Sequence, residues 1–163
     1  PRQLEARGLV VPGSRVSYAW GELALVPAGD NESWADNLKK PGVRLVIANP
    51  DTAPYGQAAQ QALGAARINL PRYGLIRAAN VAQAYQIWDT GNVDFALVSR
   101  AQARKVSHRL LPAGSYTPIE QQAVLLKRSS HPGGRAFMDF LVSERARIIL
   151  RAHGYRAGDA DSL

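Results

Sequence analysis

The sequence predicts an α/β fold built on a parallel-rich sheet, and three observations carry that expectation. Short apolar runs with the content of buried strands recur at Val43 to Ala48, Tyr73 to Ala78 and Val93 to Val98. Helix-patterned segments, Tyr55 to Ala66 and Val81 to Trp88, alternate with them. The joints carry helix-start and helix-stop residues: Pro54 and Asn80 before the helices, Gly91 after the second. Strands and helices alternating at this spacing imply parallel neighbours joined by crossover helices.

Taken in order, residues 2–8 read as the end of a helix stopped at Gly8. A long extended stretch follows from Arg15 to Val26, with Val16, Tyr18, Trp20, Leu23 and Leu25 apolar and a bulge or bend at Gly21. Residues 27–31 form a turn. Ser33 caps a short helix, Trp34 to Lys39, which Pro41-Gly42 ends. The helix from Tyr55 presents Ala58, Ala59, Ala62, Leu63 and Ala66 on one face. Beyond the three strands, Leu110-Leu111 is a short strand and Ile119 to Lys127 a longer one. Two helices follow. One, from about Gly134 to Val142, is expected to bury Phe137, Phe140 and Leu141. The other starts at a Ser143 cap, has Glu144 in its first turn and ends at Gly154, with His153 at the negative end of its dipole.

A chain of 163 residues, 46% of them hydrophobic, can build a real core. No stretch approaches the run of about 20 apolar residues that a membrane span needs. The absence of cysteine removes disulfides, thiol nucleophiles and cysteine metal sites. No charged and apolar leader is visible at Pro1, as in a processed or truncated chain. The net charge of +7 raises nucleic acid as a partner, but no block of basic residues or basic–aromatic interleaving appears, and none is expected. A solvated basic surface, or one that steers an anionic ligand, is the better reading.

Two segments stand out, Asn49 to Gly56 and Ala79 to Ala82. Each follows a strand and opens a helix. In the first, Pro54 supplies the first helical position without a donor, which leaves the N–H groups of Tyr55 and Gly56, with no side chain on Gly56 to block approach. In the second, Asn80 caps and Val81 starts the helix. Each alone reads as an ordinary strand-to-helix turn. Together they lie at one edge of one sheet, the edge where open α/β folds bind ligands. Helix N-termini there favour a small anion. Ser99 ends the third strand at the same edge and brings a hydroxyl, while Arg100 beside it is expected to be solvent-exposed.

No catalytic arrangement is evident, and no enzyme or catalytic residue is expected. His108, His131 and His153 lack metal-ligand spacing, so no metal site is expected. Nucleophile-elbow, phosphate-loop and dinucleotide fingerprints are absent. Asn31-Glu32-Ser33 matches a glycosylation acceptor, a pattern mostly met by chance.

The run from Ala48 to Gly56, then Asn80-Val81-Ala82-Gln83-Ala84, Gly91-Asn92-Val93-Asp94, Tyr116-Thr117-Pro118-Ile119 and Ala123 to Lys127, resembles the periplasmic molybdate-binding proteins of ABC transporters. The closing Ala136 to Ser143 and Gly154-Tyr155 are similar to the end of that family, and of solute-binding proteins more widely.

That resemblance implies a type II periplasmic-binding-protein-like fold, with one complete lobe and part of the other. Residues 1–26 would be a remnant of the first lobe and a crossover strand, 27–127 the second lobe with the return crossover, and 128–163 the C-terminal helices. It implies an oxyanion held in a cleft, with Tyr55 contacting through its backbone and hydroxyl and Val81 through its N–H. Ser99 stands where some members place a tyrosine. The ligand would be molybdate or tungstate, with sulfate an alternative and no cofactor, since a site made only of donors suits a fully deprotonated dianion. The partner would be the membrane permease of the transporter, and the full-length protein would be periplasmic or otherwise extracytoplasmic. A cytoplasmic ligand-sensing domain of a transcriptional regulator is the alternative on the same fold. The opening part of a usual member has no counterpart in this chain. Only one side of the site is therefore expected, with weak binding by the chain alone. Apolar surface at Leu9-Val10-Val11 and on the last helices is expected to be exposed, with dimerisation or strand exchange.

Overall fold

The computed structural model describes residues 1–29, 33–71 and 74–157. In chain order its elements are α1 (Arg2–Ala6), β1 (Val16–Gly21), β2 (Leu23–Val26), α2 (Trp34–Lys39), β3 (Leu45–Ala48), α3 (Pro54–Ala65), β4 (Leu75–Ala78), α4 (Val81–Asp89), β5 (Phe95–Ser99), α5 (Arg100–Ala103), β6 (Arg109–Leu110), a 3-10 turn (Ala113–Ser115), β7 (Ile119–Ala123), α6 (Gly133–Leu141), α7 (Glu144–Ala152) and β8 (Tyr155–Arg156). They fall into two compact units: Gly21–Ile119, and Pro1–Trp20 together with the chain from Glu120 onward.

These boundaries differ from those drawn at residues 26 and 127, for reasons of hydrogen bonding. Strand β2 pairs with β5 and β6, so it belongs to the sheet of Gly21–Ile119. At the other end, Val11 N–H donates to Leu125 O (2.8 Å) and Lys127 N–H to Leu9 O (2.9 Å), tying residues 125–127 to the start of the chain.

The unit Gly21–Ile119 is a five-stranded sheet in the order β4-β3-β5-β2-β6. Strands β3, β4 and β5 run parallel, while β2 is antiparallel to β5 and β6, so the sheet is mixed with a parallel half. Strand β3 lies between β4 and β5 and is buried on both faces, which is why it reads as a continuous apolar run. Its residues alternate between two cores. Leu45 and Ile47 pack with Leu23, Leu25, Leu97 and the Ala58, Ala59, Ala62 and Leu63 face of α3. Val46 packs with Ala24, Val26, Ala96, Val98 and Ala84 of α4. Removing side chains of this size from water is worth about 1.5–3 kcal/mol each.

Helix starts follow local chemistry. Ser33 accepts the Asp36 N–H, and its hydroxyl donates to Asp36 Oδ2 (2.6 Å), which holds that carboxyl below its ordinary pKa. Ser143 accepts the Ala146 N–H, as its position before Glu144 predicts. Gly8, Gly91 and Gly154 take positive φ just beyond their helices, the backbone that a glycine stop allows. Asn31 and Glu32 of the glycosylation pattern, and Tyr73 at the start of the expected strand, lie outside the described residues.

The other unit holds a three-stranded sheet, β7-β1-β8, with α6 and α7. Helix α6 is oriented differently from the expectation. Met138 is its buried residue, whereas Phe137 (59% exposed) and Phe140 (38%) lie outward and stack on each other with centroids 6.5 Å apart. The helix carries apolar residues on more than one side, so periodicity alone does not say which side meets the core. Ile148 and Ile149 of α7 and Leu9 are exposed as expected, but Val10 is buried. No helix among the described residues is long and apolar enough to cross a membrane.

Candidate functional site

The register of the sheet gathers four segments at one edge. Ala48 ends β3 opposite Ala78 of β4, and Ile47 pairs with Leu97 just before β5 ends at Ser99. Strand β2 runs the other way and begins with Leu23 opposite Ser99. Gly21-Glu22, Asn49 to Gly56, Ala79 to Val81 and Ser99-Arg100 therefore meet where the parallel strands end.

The first connection is held by its own backbone. Asn49 N–H donates to Ala78 O (2.7 Å), Asn49 Oδ1 accepts from Asp51 N–H (3.1 Å), and Ala53 N–H returns to Asn49 O (2.9 Å). Ala53 is extended, the conformation favoured before proline, and Pro54 opens α3. Gly56 departs from the expectation. Its N–H donates to Ala53 O at 2.9 Å and is not a free donor. The need for glycine is steric: a Cβ here would run into Ala48 O and stand 2.6 Å from the Asn49 carbonyl carbon.

Tyr55 lies against Gly21. A Cβ on Gly21 would overlap the Tyr55 hydroxyl and stand 2.8 Å from its Cζ. The bend at Gly21 thus seats a phenol at the sheet edge, a role that only the contact reveals. Beside it, Leu23 N–H donates to Tyr116 Oη (3.0 Å), which fixes the start of β2.

Helix α4 starts at the second connection. Asn80 Oδ1 accepts the Gln83 N–H (2.9 Å), and Gln83 Oε1 accepts the Ala79 N–H (2.6 Å), a reciprocal cap. Gln102 of α5 takes the next donor. With its amide oriented so that both ends meet partners, Oε1 accepts the Ala82 N–H (3.2 Å). Its nitrogen donates to Val81 O (3.2 Å) and Ser99 Oγ (3.1 Å). Of the first-turn donors that a helix leaves over, the Val81 N–H then remains unspent.

Ser99 caps α5 and accepts the Gln102 N–H (3.3 Å). It is 5% exposed. Arg100 is not simply solvated: its Nη1 pairs with Glu22 Oε2 at 2.6 Å, and its N–H donates to Glu22 O (2.9 Å). The Glu22 carboxylate at this edge is thereby charge-paired. Sequence reasoning reads Gly21 only as a bulge or bend and passes over Glu22 and Gln102. The Ser99-x-x-Gln102 spacing, that of a capping box, is the one signal that marks Gln102.

The three histidines make local backbone contacts: His108 with Val106 O, His131 with the Gly133 N–H and His153 with Ile149 O. Among the described residues no group of three or more His, Asp or Glu could share a metal ion.

Residues 1–156 match the family model for bacterial extracellular solute-binding proteins. The chain is 38% identical over 168 residues to the molybdate-binding protein ModA of Azotobacter vinelandii, covering 95% of this chain and 66% of that protein. It is 35% identical over 165 residues to the molybdate-binding protein ModA of Rhodobacter capsulatus, covering 95% and 64%. The solved periplasmic molybdate-binding protein of Azotobacter vinelandii superposes with a TM-score of 0.88 at 32% identity, over 98% of this chain and 74% of that one. The chain spans just under two thirds of the length of these curated relatives. With a type II periplasmic-binding-protein architecture and a match along nearly its whole length, the chain belongs to the family of bacterial extracellular solute-binding proteins.

Proposed function

We propose that the chain is part of the solute-binding component of an ABC importer, and that its ligand is a tetrahedral dianion, molybdate or tungstate. The observation that carries this reading is the unspent Val81 N–H at the start of α4, which Gln102 links to the Ser99 hydroxyl, at the sheet edge where Tyr55 also lies. Asn80 serves as the cap that aims this helix start, and Gly56 as the residue that lets α3 begin close to the strand end. The ligand gains from the helix dipole, about 0.3–1 kcal/mol and up to ~2 when partly buried. Each charge-assisted hydrogen bond adds about 1.5–3 kcal/mol. Donors without a facing acceptor suit an anion that carries no proton. Pairing of Glu22 with Arg100 keeps that carboxylate from repelling it. The likeness to the two molybdate-binding proteins supports molybdate as the ligand. The match to extracellular solute-binding proteins supports an extracytoplasmic place of work, from which the ligand would be delivered to a membrane permease.

Calorimetry on the full-length protein tests this. Molybdate and tungstate are expected to give saturable heat at micromolar concentrations, and sulfate a weaker response. Absence of heat with all three sinks the proposal. The exposed Phe137, Ile148 and Ile149 support self-association of a chain of this length, for which light scattering should report a dimer.

A further inference from the structure

We infer that Gln102 is a specificity-determining positioning residue, which fixes the direction of the Ser99 hydroxyl and so makes the site reject protonated oxyanions. This deepens the oxyanion reading above and rests on it. A serine hydroxyl has two acceptor lone pairs and one hydrogen. Ser99 Oγ accepts twice from one residue, from the backbone N–H of Gln102 (3.3 Å) and from its side-chain nitrogen (3.1 Å). Both lone pairs are occupied, and the remaining hydrogen can only be given away.

Were the hydroxyl free to turn, it could offer a lone pair to a ligand that carries a proton. Gln102 removes that option. The glutamine is itself held at both ends, since its oxygen takes the Ala82 N–H and its nitrogen also reaches Val81 O. It therefore cannot reverse its amide without placing its oxygen against Val81 O and its nitrogen against the Ala82 N–H. The start of α4 thus reads out through Gln102 onto Ser99, and one side chain sets the polarity of two neighbouring contacts. Ser99 is buried, so water is poorly placed to restore a lost bond.

A carboxylate at this position reverses the arrangement. In Gln102→Glu, one oxygen still accepts the Ala82 N–H, while the other accepts from Ser99, whose lone pair then faces the ligand. The test compares molybdate with hydrogen phosphate at mildly alkaline pH, where both are dianions and only the second carries an O–H. Full-length wild-type protein is expected to bind molybdate and to discriminate against hydrogen phosphate. In Q102E the ratio of the two affinities should fall by on the order of tenfold or more, the worth of one hydrogen bond to a charged group gained by one ligand and lost by the other. In a Ser99→Ala background the same change should leave the ratio unmoved, because the added charge acts equally on both ligands. Gln102→Met, which frees the hydroxyl without adding charge, should lower the ratio by a smaller factor and covers the case in which Q102E does not fold. A folded variant with an unchanged ratio overturns the inference and leaves the oxyanion reading standing. Wild-type protein that binds no tetrahedral dianion overturns both.

Discussion

Replacing Gly56 with alanine is expected to cost about 3 kcal/mol of folding stability, the upper end of what overpacking usually costs. The reason is the identity of the atoms in the way. The added Cβ would meet Ala48 O and stand 2.6 Å from the carbonyl carbon and 2.7 Å from the carbonyl oxygen of Asn49. These are backbone atoms at the end of a strand that is hydrogen-bonded on both sides and cannot turn aside as a side chain could. Helix α3 would have to lift from β3, loosening the Ala58, Ala59 and Ala62 contacts with Leu45 and Ile47. Gly64, in the same helix, is the control. Nothing lies within 4 Å of its Cβ position, so Gly64→Ala should stabilise by about 0.5–1 kcal/mol through helix propensity and chain entropy. Denaturant titration reads both, as opposite shifts of midpoint at constant slope. Equal stability of the G56A variant and the wild type would contradict the packing described here.

Val81→Pro is expected to keep the fold and weaken molybdate binding by roughly 10- to 150-fold, the equivalent of one charge-assisted hydrogen bond. Proline is well suited to the first position of a helix, where its missing N–H breaks no internal bond. Asn80 before it is extended (φ −153°, ψ 174°), outside the helical region that proline disfavours in the preceding residue. The cap from Asn80 to the Gln83 N–H and the bond from Gln102 to Val81 O do not involve the deleted hydrogen. The substitution therefore removes one donor and little else. Val81→Ala, which keeps the N–H and trims the side chain, should bind nearly as well as wild type. Undiminished affinity in a folded V81P variant would place the anion elsewhere.

How much of this was legible in the sequence depended on whether the determinant was local. The caps at Ser33, Asn80 and Ser143 were readable because each acts on a backbone donor three residues on. Strands β3 and β5 were readable because burial on both faces leaves an uninterrupted apolar run. That β1 and β2 join different sheets was not, since an extended stretch looks the same whichever neighbours it finds. Nor was the outward side of α6, where Phe137 and Phe140 were as plausible a core face as Met138. At the site, Tyr55, Val81 and Ser99 came from turn chemistry, strand order and the family resemblance, and the sheet does bring their positions to one edge. The seat of Tyr55 on Gly21 and the ion pair of Arg100 with Glu22 depend on segments far apart in the chain, and no local pattern announces them. The Gly56 N–H was misassigned because the free-donor rule for a first helical turn does not foresee a tight bond back to Ala53 O.

The most direct measurement of the central claim is a titration of the isotope-labelled full-length protein with molybdate, followed by the backbone amide resonances. The Val81 amide proton should move downfield and saturate in step with binding, while the Gly56 amide, already bonded to Ala53 O, should stay near its starting position. Tight binding of molybdate with the Val81 amide unmoved would contradict the account.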